Sequence, residues 1–215
     1  MHPASASGAP KIRLPKSSDR PFSDIFVFIT SDSLLTALRL LDMTDQKVVK
    51  LTGKPVQIMD EYAYIISKSL LKAGHRYTLT AVNSNSDPRY KYDIVSFTIT
   101  EKPVTHASDL YGYPLMPQGT VSVEIITIGQ NYPYRGTSPN DDRVYYAGTT
   151  TTAVSYCKLF EWIDDDTAQF FPIKDLVTGP TPWSCNFVVG ATPNRTFHLD
   201  MKNAGNEPYN RTDTL

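Results

Sequence analysis

Carboxylates, imidazoles and thiols are the side chains in this chain with chemistry to offer, and their spacing limits what they can do. Asp164, Asp165 and Asp166 run consecutively after Trp162, and Asp141 and Asp142 sit together in a long polar loop. Carboxylate oxygens on such loops are the donors that calcium takes. Neither run has the alternating D-x-[DN]-x-[DN]-G spacing of a calcium loop, so solvated turns are expected for both. His2, His75, His106 and His198 are scattered, with no H-x-x-x-H or H-E-x-x-H pattern to suggest a metal centre. No G-x-S-x-G places a serine on a nucleophile elbow. Cys157 and Cys185 have no metal-ligand spacing. They read as buried free thiols, with a mutual bridge as the alternative. Tyr156 and Leu159 beside Cys157 suit a packed strand better than a nucleophile. The expectation is a non-enzymatic protein with no metal and no cofactor. A site dispersed over β loops is the remaining enzymatic reading, because it needs no local motif.

Contact chemistry is better represented. Tyr132, Tyr134, Tyr145 and Tyr146 crowd a Gly/Pro/Asn segment together with Arg135 and Arg143. Tyr supplies large contact area at low side-chain entropy cost, and Arg is favoured at energetic hot spots. Tyr132, Tyr134, Arg135 and Arg143 are therefore the candidate interaction residues, the alternative being that Tyr145 and Tyr146 pack in a strand. Residues 1–21 are rich in Ser, Ala and Pro and carry Lys11, Arg13, Lys16 and Arg20 against Asp19. Four prolines disfavour helix there. The expectation is an extended arm whose Ile12 and Leu14 give apolar contacts to a neighbouring copy.

The 215-residue chain carries 21 Lys+Arg against 22 Asp+Glu, a formal net charge of -1 that argues against a general nucleic-acid binder. Residues 1–102 have a small excess of bases and the remainder an excess of acids, imbalances of a size that chance produces, with head-to-tail contact between copies as the alternative reading. Hydrophobic residues at 40% allow a core, and 13 Tyr beside 9 Phe tilt the composition towards strands. The N-terminus lacks the apolar core of a secretory signal, no run approaches membrane-spanning length, and so synthesis in the cytosol without a membrane partner is expected. The sequons Asn194-Arg195-Thr196 and Asn210-Arg211-Thr212 are read as coincidental in that setting.

The elements that must position these groups are strands. Leu70 to Thr100 reads as a corner at Gly74, an alternating strand from Tyr77 through Leu79 and Ala81, a polar loop, and a second strand with Val95, Phe97 and Ile99 on one face. Ile25 to Ile29 is a continuous apolar run, expected to be a strand buried on both sides or near the core. Lys47–Leu51, Val56–Met59 and Tyr62–Ile66 read as further strands. Ser31 to Asp45 is open between helix and strand, because Leu34, Leu35, Leu38 and Leu41 fit helical spacing. Lys102 to Gln118, with three prolines, reads as a linker. Beyond it Val121–Ile128, Val144–Tyr146, Ala153–Trp162, Asn186–Val189 and Thr196–Met201 read as strands of a less regular β domain.

The order D-x-T-D-x-x-V-V, Y-x-Y-x-I, L-x-A-G-x-x-Y-x-L and a closing F-T-I resembles the immunoglobulin-like and fibronectin type III-like modules of bacterial surface proteins and tailed-phage structural proteins. The resemblance covers residues 22–102 and implies a β-sandwich serving as spacer or interaction module. It also implies a structural corner at Leu71, Gly74 and Tyr77, with the Tyr hydroxyl bonded to nearby backbone. The expected architecture is all-β: an extended arm (1–21), an immunoglobulin-like sandwich (22–102), a linker (103–118), a second β domain (119–202) and a polar tail (203–215). The expected role is that of a structural protein of a large assembly, a tailed-phage virion component of the head, neck or tail. Its partners would be other copies of itself and other structural proteins. The alternative is a cell-surface or secreted adhesion module with a surface glycan as ligand.

Overall fold

Strand registers in the computed structural model, which describes residues 8–14, 19–100, 122–128, 143–150, 152–179, 183–190, 195–204 and 208–214, place every sheet in one of two units. One unit is drawn from residues 1–116 and 164–167 and the other from residues 117–163 and 168–215.

Among the described residues the first unit has nine strands: β1 (Lys11–Arg13), β2 (Asp19–Pro21), β3 (Ile25–Thr30), β4 (Leu35–Asp42), β5 (Lys47–Val49), β6 (Val56–Ile58), β7 (Glu61–Ile66), β8 (Arg76–Asn83) and β9 (Tyr92–Thr100). They form one sheet in the order β1-β3-β7-β6 and another in the order β2-β9-β8-β4-β5. All pairings are antiparallel except β2 on β9. This is the strand order of an immunoglobulin sandwich, in which the first, second, fifth and fourth strands make one layer and the third, sixth and seventh the other. Alternate residues from both layers, among them Val27, Ile29, Leu40, Tyr77, Leu79 and Phe97, meet in one core.

Two sequence expectations change here. Residues 11–13 and 19–21 are strands of the sandwich itself, so the boundary placed at residue 22 moves towards the N-terminus. Ile12 and Leu14 are buried in that same core and are not free to dock on another copy. Apolar burial places Ile12, and a side chain fixes its backbone: the Ile12 N–H donates to Asp93 Oδ2 at 2.6 Å. The Ser31 to Asp45 ambiguity resolves as a strand. Leu40 and Leu41 are both fully buried although they point to opposite faces of the sheet.

Among the described residues the second unit has eight strands: β10 (Ser122–Ile128), β11 (Arg143–Thr149), β12 (Val154–Trp162), β13 (Ala168–Phe171), β14 (Ile173–Val177), β15 (Trp183–Val188), β16 (Thr196–Asn203) and β17 (Pro208–Thr214). Their order is β10-β11-β15-β14 in one sheet and β13-β12-β16-β17 in the other. The same immunoglobulin connectivity therefore recurs, and the expected less regular domain is a second sandwich with its own core around Trp183, Tyr146, Phe187 and Leu199. The segment read as a polar tail forms β17, paired along its length with β16. The segment read as a linker, 103–118, lies outside the described residues.

Candidate functional site

Ile25 to Ile29 was expected to be covered on both sides or to lie near the core; the second holds, for its burial alternates and Ile25, Val27 and Ile29 face the core. Phe26 and Phe28 point outward. In register, Phe26 stands beside Ile65, and Phe28 shares a row with Ala63 and then Val56. Ile58 continues the face along β6, the edge strand. Phe26 is 50% exposed, Val56 64%, Ile58 55% and Ile65 53%. Single exposed apolar residues are ordinary, but a contiguous set on one sheet face is the usual mark of a contact surface. The rim is charged and partly satisfied within the chain. Arg13 makes a two-pronged pair with Glu61 at 2.9 and 3.0 Å, and its guanidinium lies 5.2 Å from the centre of the Phe28 ring. The missed signal was the outward half of an apolar run that has the length of an ordinary strand.

A second cluster gathers at the corner that enters β8. Gly74 adopts φ +79°, a left-handed conformation that favours glycine, and its N–H donates to Ile99 O at 2.7 Å. The chain then brings Tyr77 under the corner, fully buried, where its hydroxyl accepts from the Lys72 N–H at 2.8 Å. The expected tyrosine corner is thus present, and Leu71 packs in the core beside it. Burial, foremost, pushes the Tyr77 phenol up to about 12, so it stays neutral over the working pH range. Replacing Tyr77 with Phe leaves the Lys72 N–H without its acceptor and should cost about 1–3 kcal/mol in equilibrium denaturation.

Around this corner, Asp42, Asp45 and His75 bring one donor atom each within 4.8 Å of one another, a geometry that could hold a divalent cation. Each of the three already has a partner within the chain. Asp42 Oδ1 accepts from the N–H groups of Thr44 and Asp45 at 3.0 and 3.1 Å, and Oδ2 pairs with His75 Nδ1 at 2.8 Å. Asp45 is held by the Lys72 ammonium, which lowers its pKa. A metal would have to displace that ammonium. His75 paired with Asp42 is oriented as a base would be, but Tyr77, the hydroxyl at this corner, is neutral and engaged. The cluster reads as a turn neutralised by its own side chains.

Of the other expected interaction residues, Tyr132, Tyr134 and Arg135 lie outside the described residues. Arg143 opens β11 in register with Val188. Tyr146 is fully buried, and its hydroxyl donates to Asp213 Oδ2 at 3.3 Å. It therefore takes the alternative role, packing within a strand. Cys157 on β12 and Cys185 on β15 are free thiols whose Sγ atoms stand 2.8 Å apart.

No family model matches this sequence, and no curated protein matches it. Among solved structures, the chain is similar to a chimeric titin Z1Z2 functionalised with a peptide from decorin, at 14% identity and TM-score 0.29, covering 98% of this chain and 97% of that chain. It is also similar to the two tandem V-type regions of VCBP3, a v-region-containing chitin binding protein, at 11% identity and TM-score 0.35, covering 97% and 99%. The strand orders of both units make the chain, in fold, two successive immunoglobulin-like sandwiches.

Proposed function

We propose that this chain is a structural interaction module of a larger assembly, and that the outward face of β3, β7 and β6 is its contact surface, taken by a second copy of the chain. The exposed apolar set Phe26, Val56, Ile58 and Ile65 carries this reading. Flat sheet faces pack on one another about 10 Å apart through such side chains. The rim is self-complementary. Lys11 lies on the β1 edge and Asp60 at the turn between β6 and β7, while Arg13 and Glu61 are already paired with each other within the chain. A two-fold axis running parallel to the strands sets the basic edge of one copy over the acidic turn of the other, giving an isologous interface.

The finer reading is a virion component of a tailed phage, supported by the motif order quoted above for residues 22–102 and by its likeness to phage structural modules. Phe26→Lys with Ile65→Lys should weaken self-association at least tenfold in a light-scattering concentration series, leaving the unfolding transition unchanged. A wild-type chain that stays monomeric throughout, or a variant that associates equally well, would overturn the contact surface. Mass spectrometry of purified particles, with the chain absent, would count against the virion role.

A further inference from the structure

We infer that Cys157 and Cys185 are an oxidative modification site, closing an inter-sheet disulfide when the chain meets a low-molecular-weight disulfide such as oxidised glutathione. Cys157 lies on β12 in register with Met201, and Cys185 on β15 between Tyr146 and Leu176 in neighbouring strands. The two strands belong to different sheets, and both side chains enter the shared core. The sulfurs stand 2.8 Å apart across the sandwich, so bond formation at about 2.05 Å needs only a small side-chain adjustment. The positions also differ from the immunoglobulin inter-sheet bridge. That bridge joins the second and sixth strands of the fold. Here the matching strands β11 and β16 present Val144, Tyr146, Leu199 and Met201 to the core, and the thiols sit on the two strands beside them.

Access sets the order of events. Cys185 is fully buried, whereas Cys157 keeps some exposure. The Cys157 thiolate attacks one sulfur of the external disulfide, forming a mixed disulfide and releasing one thiolate. The Cys185 thiolate then attacks the Cys157 sulfur and releases the second. The two thiol protons pass through solvent to the two departing thiolates. The net change is a two-electron oxidation of the cysteine pair to a disulfide and reduction of one external disulfide to two thiols. Burial, chiefly, raises the Cys157 thiol well above its ordinary range, with Cys185 and Asp200 nearby adding to the effect. The thiolate is therefore scarce near neutrality, and the closing rate should rise about tenfold per pH unit there.

The test treats the full chain with oxidised glutathione, quenches it by alkylation in denaturant, and maps the peptides. The expected product lacks both alkylatable thiols and yields a Cys157–Cys185 cross-linked peptide in a monomeric chain, at a rate that climbs with pH. Cys157→Ser should stop at the unmodified Cys185 thiol, and Cys185→Ser should stop at the Cys157 mixed disulfide. Two thiols still free in the wild type, two separate glutathione adducts, cross-linking only between chains, or a rate insensitive to pH would each overturn the proposal.

Discussion

A chain that begins at Phe22 should lose the first sandwich's stability by about 3 kcal/mol or more while the second sandwich unfolds as before. Removing residues 1–21 takes away Ile12 and Leu14, both core members of the first unit, each contributing roughly 1.5–3 kcal/mol through burial before the entropy of ordering the strands is subtracted. It also uncovers two sheet edges, one beside β3 and one beside β9. Asp93, partly buried in the full chain, loses the Ile12 N–H. Denaturant unfolding followed by near-ultraviolet circular dichroism would register the first-unit transition, with the second unit as internal reference. Ile12→Ala separates packing from backbone loss and should cost about 2–5 kcal/mol alone. Unchanged transitions in both variants would remove β1 and β2 from the sandwich. Reduced self-association of the truncated chain would, for the same reason, report an unfolded domain and not a lost docking arm.

The second large effect is on pH dependence. Burial raises the Asp93 carboxyl to about 6, outweighing the N–H groups of Ile12 and Ile94 and the nearby Lys11, all of which favour the charged form. The unfolded chain releases this proton near 3.8, the ordinary value for an aspartate. Between those two values the folded state holds a proton that the unfolded state has given up, so stability falls as pH rises through the window. Above about 6 both states are ionised and the folded state bears the full cost of the buried charge, about 3 kcal/mol. Asp93→Asn keeps an oxygen to accept from Ile12 and removes the titration. The variant should be more stable than wild type at pH 7.5 and lose that advantage by pH 4. Asp213 is also raised by burial and acts in the same direction within the second sandwich. The difference between wild type and the Asn variant therefore isolates Asp93. Equal slopes in the two proteins would refute the assignment.

The first sandwich was legible because its hairpin obeys simple periodicity. Tyr77, Leu79 and Ala81 alternate with polar residues and do face the core, as do Phe97 and Ile99. Where periodicity failed, the cause is visible. Leu40 and Leu41 are buried on opposite faces of β4, as are Leu79 and Thr78 on β8, and a strand covered on both faces no longer alternates in sequence. The helical spacing of its leucines was a by-product. The short strands β1 and β2 were hidden by their prolines and by their partners. β2 pairs in parallel with β9, at the far end of the unit, where no turn signal joins them. The exposed face of Phe26 and Ile65 was missed because an apolar run looks buried until its neighbours are known. In the second unit five strands were recognised, but β13 and β14 are short and were not read as strands and β17 was read as a tail, so the repeated connectivity could not be read. The Cys157 and Cys185 pairing depends on two sheets meeting face to face, which sequence distance alone does not encode.

The parallel pairing of Asp19–Pro21 with Thr98–Thr100 also has a consequence in time. A ribosome delivers β2 long before its partner exists, so β2 must wait until roughly residue 100 has been made, whereas β1 finds β3 soon after it emerges. Contacts so far apart in sequence close slowly, because the loop entropy is lost before the pairing compensates for it. During that wait the nascent chain carries unpaired strand edges and the apolar side chains of β3 and β7, the surface through which partly made chains stick to one another. Nascent fragments ending before β9 should therefore be prone to aggregation, and completing that one strand should release the chain from its most vulnerable stage.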